Sequence, residues 1–168
     1  MGPGWIDCGE DGEVVTEVTP GMVLRAFRRV PLPTPELHVQ PPGGETLVNL
    51  DTIFSTEAER FTEVVRLLGK RITLDITPST FTWDHGDGTT QTTDTPGRPW
   101  KKNQPVGANG LITHLYQSKG AVQPTVTITW TARWKQGNRP WQPVNGTVTM
   151  TSPPVPLDVL EAEPQLVQ

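Results

Sequence analysis

Residues 81–88 read Phe81-Thr82-Trp83-Asp84-His85-Gly86-Asp87-Gly88. Phe81 and Trp83 alternate with Thr80, Thr82 and Asp84, the period of a strand with one apolar and one wet face. The run ends in Gly-Asp-Gly, a turn signal with a mechanism: glycine enters positive φ with no Cβ to clash. A strand that carries an indole inward and then reverses belongs to a packed β layer, and Trp83 supplies the largest area for burial there.

The same period continues on both sides. Ile72, Leu74 and Ile76 alternate with Thr73, Asp75 and Thr77, predicting a strand. Before it, Phe61, Val64, Val65 and Leu68 fit a helical stripe, whereas Val64 to Leu68 followed by Gly69-Lys70 fits the first arm of a hairpin; the hairpin is the favoured reading. Val48, Leu50, Thr52 and Phe54 oppose Leu47, Asn49, Asp51 and Ile53, predicting one alternating strand from Thr46 to Phe54. Residues 94–110 hold three prolines and three glycines and predict a long loop, after which Leu111 to Tyr116 restarts the β pattern. Val122 to Trp134 is the longest predicted strand. Val126, Ile128, Trp130, Ala132 and Trp134 line one face and Thr125, Thr127, Thr129, Thr131 and Arg133 the other, as the outer sheet of a sandwich requires. Gln136-Gly137-Asn138 turns the chain. Val144, Gly146, Val148 and Met150 then alternate with Asn145, Thr147, Thr149 and Thr151, and a last strand is expected at 157–167.

The first 44 residues differ in character. Residues 1–18 carry five acids (Asp7, Glu10, Asp11, Glu13, Glu17) and no base, and read as a solvated arm whose Val14, Val15 and Val18 are placed to pair with a sheet. Thr19-Pro20 is a helix start, a capping hydroxyl before a proline at the first helical position. Val23, Leu24 and Phe27 follow at helical spacing, so a helix is expected over 20–29. Five prolines and two glycines in 31–44 make an extended connector, with Leu37 and Val39 suited to a sheet edge. Two regions result: an arm, helix and connector over 1–44, and one β domain over 45–168.

Composition narrows the class further. Across 168 residues, Gly 16 and Pro 18 are too many for a helical bundle or coiled coil, while the excess of threonine and valine favours strands. A net charge of −4 argues against nucleic acid as the main partner, and the basic pairs Arg28-Arg29, Lys70-Arg71 and Lys101-Lys102 are too short to make a phosphate-binding surface. The single Cys8 forms no internal disulfide and no thiolate zinc site. No apolar run reaches the ~20 residues that span a bilayer, and none resembling a signal peptide precedes Cys8. A start codon set too late would hide a signal peptide upstream of Met1.

The segment Trp83-Asp84-His85-Gly86-Asp87-Gly88 resembles the signature of PKD domains, which are immunoglobulin-like β-sandwiches. The likeness extends to a His-x-Tyr and a following glycine before a long strand, matched here by His114, Tyr116, Gly120 and Val126 to Ile128. It covers roughly residues 45–135. The sequence departs at His85, where the family more often has Phe, and in the long 89–110 insertion. The resemblance implies an all-β, immunoglobulin-like sandwich with an N-terminal arm and one short helix, acting as a non-catalytic interaction or spacer module. The wider arrangement is similar to envelope-associated proteins of high-GC Gram-positive bacteria (actinobacteria), which implies an extracellular or cell-surface location and envelope proteins or polysaccharide as partners. In such domains Trp83 fills the space between sheets, Asp87 accepts bonds from turn amides, and Tyr116 makes a corner bond to nearby backbone.

The same residues also carry groups suited to sharper chemistry. Asp84, His85, Asp87 and His114 have acid–base side chains, but no nucleophile motif accompanies them, so the chain is read as a non-enzyme. Asp84, Asp87 and Asp94 offer oxygen ligands for calcium, yet their spacing is not that of an EF-hand loop; no metal or cofactor is expected. Trp100 and Trp141 sit beside Pro99 and Pro140, where an exposed indole stacks on sugar rings or anchors a protein, and where it also caps the open end of a sandwich. These two are the candidate ligand-binding residues, and they carry the alternative reading of a carbohydrate-binding accessory module. Asn145-Gly146-Thr147 fits a glycosylation acceptor, but Asn-Gly is equally a strand or hairpin feature.

Overall fold

The computed structural model describes residues 16–105 and 107–162. The acidic stretch through Val15, with Cys8 and the valines at 14 and 15, and the segment 163–168 lie outside the described residues. The rest is an all-β fold with one helix among the described residues.

Helix α1 (Pro20–Arg29) begins as its sequence dictates: the Thr19 side chain accepts a bond from Met22 N at 3.2 Å, and Pro20 occupies the first turn. Arg28 and Arg29 in the last turn complement the helix dipole. Val23 and Phe27 are fully buried, which places the helix on the same hydrophobic core as the sheets.

The strands follow in order: β1 (His38–Gln40), β2 (Glu45–Leu47), β3 (Asp51–Ser55), β4 (Phe61–Leu67), β5 (Lys70–Asp84), β6 (Thr90–Thr93), β7 (Ile112–Leu115), β8 (Gly120–Val122), β9 (Thr125–Gln136), β10 (Gln142–Pro143), β11 (Val148–Thr151) and β12 (Leu157–Leu160). They form three sheets. One is β1-β3-β7; the largest has β9 at its centre, carrying β5 on one side and β10 and β11 on the other, with β4 and β6 pairing β5; the third is β2-β12-β8. In the third, β2 and β12 run parallel, Glu45 beside Asp158 and Leu47 beside Leu160. Bonds from Asp158 N to Gly44 O and from Val48 N to Leu160 O, both 2.9 Å, extend that pairing.

Several expectations need revision. The strand predicted from Thr46 to Phe54 is two strands in different sheets, because Asn49 takes φ 65 and reverses the chain between β2 and β3. Leu50 is consequently exposed, and adjacent Ile53 and Phe54 are both buried. The runs at 72–77 and 80–84 are one strand, β5. Pairing with β9 shifts between Pro78 and Thr80, so Ser79 is an extra residue, a bulge. The bulge explains a change of parity in the sequence: Ile72, Leu74 and Ile76 are even-numbered and Phe81 and Trp83 odd, yet all five face the core. The longest strand of that pair is therefore β5 and not the 122–134 run, whose strand begins at Thr125 and reaches Gln136. The alternation at 144–151 yields a strand only from Val148, and the final strand ends at Leu160.

Other expectations agree with the structure. The β4–β5 hairpin turns through Leu68 (φ 54) and Gly69 (φ 72), a two-residue loop with both φ values positive, as right-twisted antiparallel strands prefer. Val39 pairs with Phe54 at the β1 edge. The apolar face of β9 is turned inward, and it buries both Trp130 and Trp134 where the sequence required only one of them in the core.

The first and second sheets meet through aromatic side chains. Trp83 is 1% exposed, with Phe54 of β3 at 6.5 Å and Phe81 stacked at 6.4 Å, and its indole N–H donates to Thr93 Oγ1 at 2.9 Å. The opposite face of the large sheet is wet and orderly: Thr151, Thr127, Thr82 and Thr92 stand side by side across four strands, and Thr149, Thr129 and Thr80 across three.

Trp83→Ala is expected to lower stability by about 3–5 kcal/mol, the range for deleting a buried aromatic, measured by denaturant unfolding. Leu68→Asn is expected to raise it by about 0.5–1 kcal/mol, because asparagine tolerates the left-handed conformation that leucine resists; an unchanged midpoint would show that the turn carries no strain.

Candidate functional site

The residues singled out around Trp83 come together at one end of the sandwich, where β5 turns into β6 beside β7. Asp84 Oδ1 accepts from Gly86 N at 2.9 Å, and Asp87 Oδ1 accepts from Thr89 N at 3.1 Å and from the Thr89 hydroxyl. These are side-chain turns of the kind short acids form with backbone two residues ahead. His85 N to Thr89 O, 3.1 Å, closes the loop. Glycine is required at position 86: φ is +81, and a Cβ there would lie 2.8 Å from Gln123 N.

From the other sheet, the Tyr116 hydroxyl donates to the His85 carbonyl at 2.7 Å, the corner bond that the resemblance implies. His114 Nε2 lies 2.8 Å from Asp87 Oδ2. The His85 and His114 rings stack face to face, centroids 3.8 Å apart and planes 2° from parallel. Phe54 approaches His85 at 5.1 Å, and Tyr116 meets His114 edge-on at 4.6 Å. One aspartate, two histidines and a tyrosine thus bind the turn to β7 and the end of β3, while Asp84 holds the turn itself.

Electrostatics follow from burial. His85 is 2% exposed and its Nδ1 has no hydrogen-bond partner among the described residues. Burial, reinforced by neighbouring His114, lowers its pKa to about 4, against smaller opposing effects of Asp87, Asp84 and Gln91. Burial pushes Asp87 up, but bonds from Thr89 and His114 outweigh it and hold the carboxyl below its ordinary value. Burial, with the Asp87 and Asp84 carboxylates, pushes the Tyr116 phenol up, so it remains a donor at any ordinary pH.

The remaining candidates lie elsewhere. Gly120 opens β8 at φ +142 and is exposed. Asp94 follows the far end of β6 from Asp87, so Asp84, Asp87 and Asp94 are not brought together. Among the described residues no cluster of three or more His, Cys, Asp or Glu is arranged to hold a metal ion. Trp100 is half-buried, its backbone N bonded to Gln40 Oε1 at 2.7 Å and its indole N–H to Gln104 O at 2.8 Å, which ties the long loop to β1. Trp141, also half-buried, lies under two cations: Arg133 at 4.5 Å and Lys135 at 4.9 Å from the ring centre.

Sequence reasoning missed the network beside Trp141. Asp75 stands on the wet face of β5 but is only 3% exposed, because Arg60 and Arg133 close over it with bonds of 2.8–3.1 Å. An acid amid threonines and isoleucines was its only local signal. No family model matches the chain, and no curated protein matches it.

Tyr116→Phe removes one hydroxyl and leaves the buried His85 carbonyl without its donor. A loss of about 1–3 kcal/mol is expected in equilibrium unfolding; a loss below a few tenths would mean that the corner bond does not help hold the sheets together.

Proposed function

We propose that the chain is a non-catalytic interaction or spacer module of the PKD type, acting at the cell surface or after secretion. The observation that carries this reading is the engagement of the acid–base groups in structure. Asp84 and Asp87 hold turn amides, His114 is bonded to Asp87, and His85 is buried against Phe54 and His114. Such groups serve a scaffold, whereas general acid–base work needs a side chain facing a reacting atom. The threonine rows and the Trp141 cluster, on the same side of the large sheet, offer a surface for a protein partner.

Capture from a native cell envelope by the immobilised chain tests the reading. Retention of a defined protein at fixed stoichiometry is the expected outcome. Retention of polysaccharide, with a shift in tryptophan fluorescence that the Trp100→Ala, Trp141→Ala double variant abolishes, would replace it with the carbohydrate-binding alternative. Turnover of an envelope component that is lost in His114→Ala would overturn it.

A further inference from the structure

The His85–His114 stack is a costly way to fasten a turn. Two neutral imidazoles stack comfortably at 3.8 Å, but two protonated rings at that distance repel each other. His85 adds a second penalty, since it is 2% exposed and its Nδ1 finds no described partner to receive a proton's charge. The groups facing it are Asp84 at the end of β5, Asp87 in the same turn, Gln91 on β6, His114 of β7 with Tyr116 just beyond it, and the apolar Phe54 of β3. Of the two carboxylates, Asp84 is taken up by Gly86 and Asp87 by Thr89 and His114, so neither is bonded to the His85 ring.

We propose that this stack is an acid-operated latch: protonation of His85 drives its ring off His114 and Phe54 and releases the Asp84–Thr90 turn from β7. The bond from Tyr116 to the His85 carbonyl and the Asp87–His114 pair are lost with it, because both depend on the turn's position. The rest of the core, from Ile72 to Ile76 and around Trp130 and Trp134, has no part in the stack. Opening therefore starts at one end of the molecule. This device operates whatever partner the module binds.

The sign follows from the two states. Latched His85 titrates at about 4, whereas a released histidine returns to about 6.5. The open form takes up the proton first, so the closed latch is stable above pH 6.5 and weakens as pH falls. The closed-to-open ratio drops close to tenfold per pH unit until about 4, where the closed form also protonates and the dependence flattens. Asp87 acts in the same direction only at more acid pH, since its carboxyl is held below its ordinary value.

The test is a pH titration of the full chain by NMR, following the imidazole signals and the backbone amides of Gly86 to Thr89 together. The expected result is one shared midpoint between about 6.5 and about 4 for the His85 ring and those amides, while Ile72 to Ile76 amides stay unchanged. His85→Phe fills the site with a ring that takes no proton, and it is expected to remove the step over that range. The latch is overturned if the His85→Phe turn still opens at the parent midpoint. It is equally overturned if His85 in the parent titrates near 6.5 with the turn amides unmoved, a measurement that stands even where His85→Phe does not fold.

Discussion

One indole sets the terms for the rest of the molecule. Trp83 is too large to bury against a single layer, so a second sheet must cover it, and Phe54 of β3 does so at 6.5 Å. Its one polar atom must also be satisfied, and Thr93 Oγ1 does this from β6. That bond is available only if the chain reverses within a few residues of Trp83, and the Asp84–Gly88 turn achieves the reversal. The same turn then presents His85 and Asp87 to β7. Burial of one side chain thus determines where the sheets meet and which groups cluster beside the meeting point.

Much of this was legible because alternation is a local property. The 72–76 and 81–83 runs, most of the 122–134 strand and the capped helix at 20–29 could be read off spacing alone, whereas the run before Gly69 fitted a helix as well as the hairpin that forms. What escaped depended on partners distant in sequence. Nothing local shows that Thr46 and Phe54 belong to different sheets; that follows from β12 claiming β2 and from β7 and β1 claiming β3. Nor does the switch from even to odd core positions show whether β5 is broken or bulged, since only the register with β9 decides it. The residues that build the candidate site, from Trp83 to Gly88 with His114 and Tyr116, were visible in the sequence, but their geometry was not. A histidine at 85 and another at 114 lie 29 positions apart, and their stacking exists only once β7 docks beside the turn. Asp75 alternates with the core positions of its strand, yet its burial required Arg60 and Arg133 to arrive from two other places in the chain.

The large sheet has two faces of different chemistry. Its inner face is dense with Trp83, Trp130, Trp134 and branched aliphatics, and receives α1 and the smaller sheets. Its outer face changes along its length from threonine rows to the Trp141–Arg133–Asp75–Arg60 network. The arginines there cap a buried carboxylate with their guanidinium groups, and Arg133 also lies over Trp141, so the indole, cation and acid hold one another in place.

The parallel alignment of β2 with β12 has a mechanical consequence. When tension pulls Glu45 towards the start of the chain and Leu160 towards its end, the two strands slide lengthwise past each other. Their cross-links, with those at Gly44 and Val48, then share the load at once instead of parting one after another as in a peeled hairpin. A force applied between these two strands would therefore load the seam in shear.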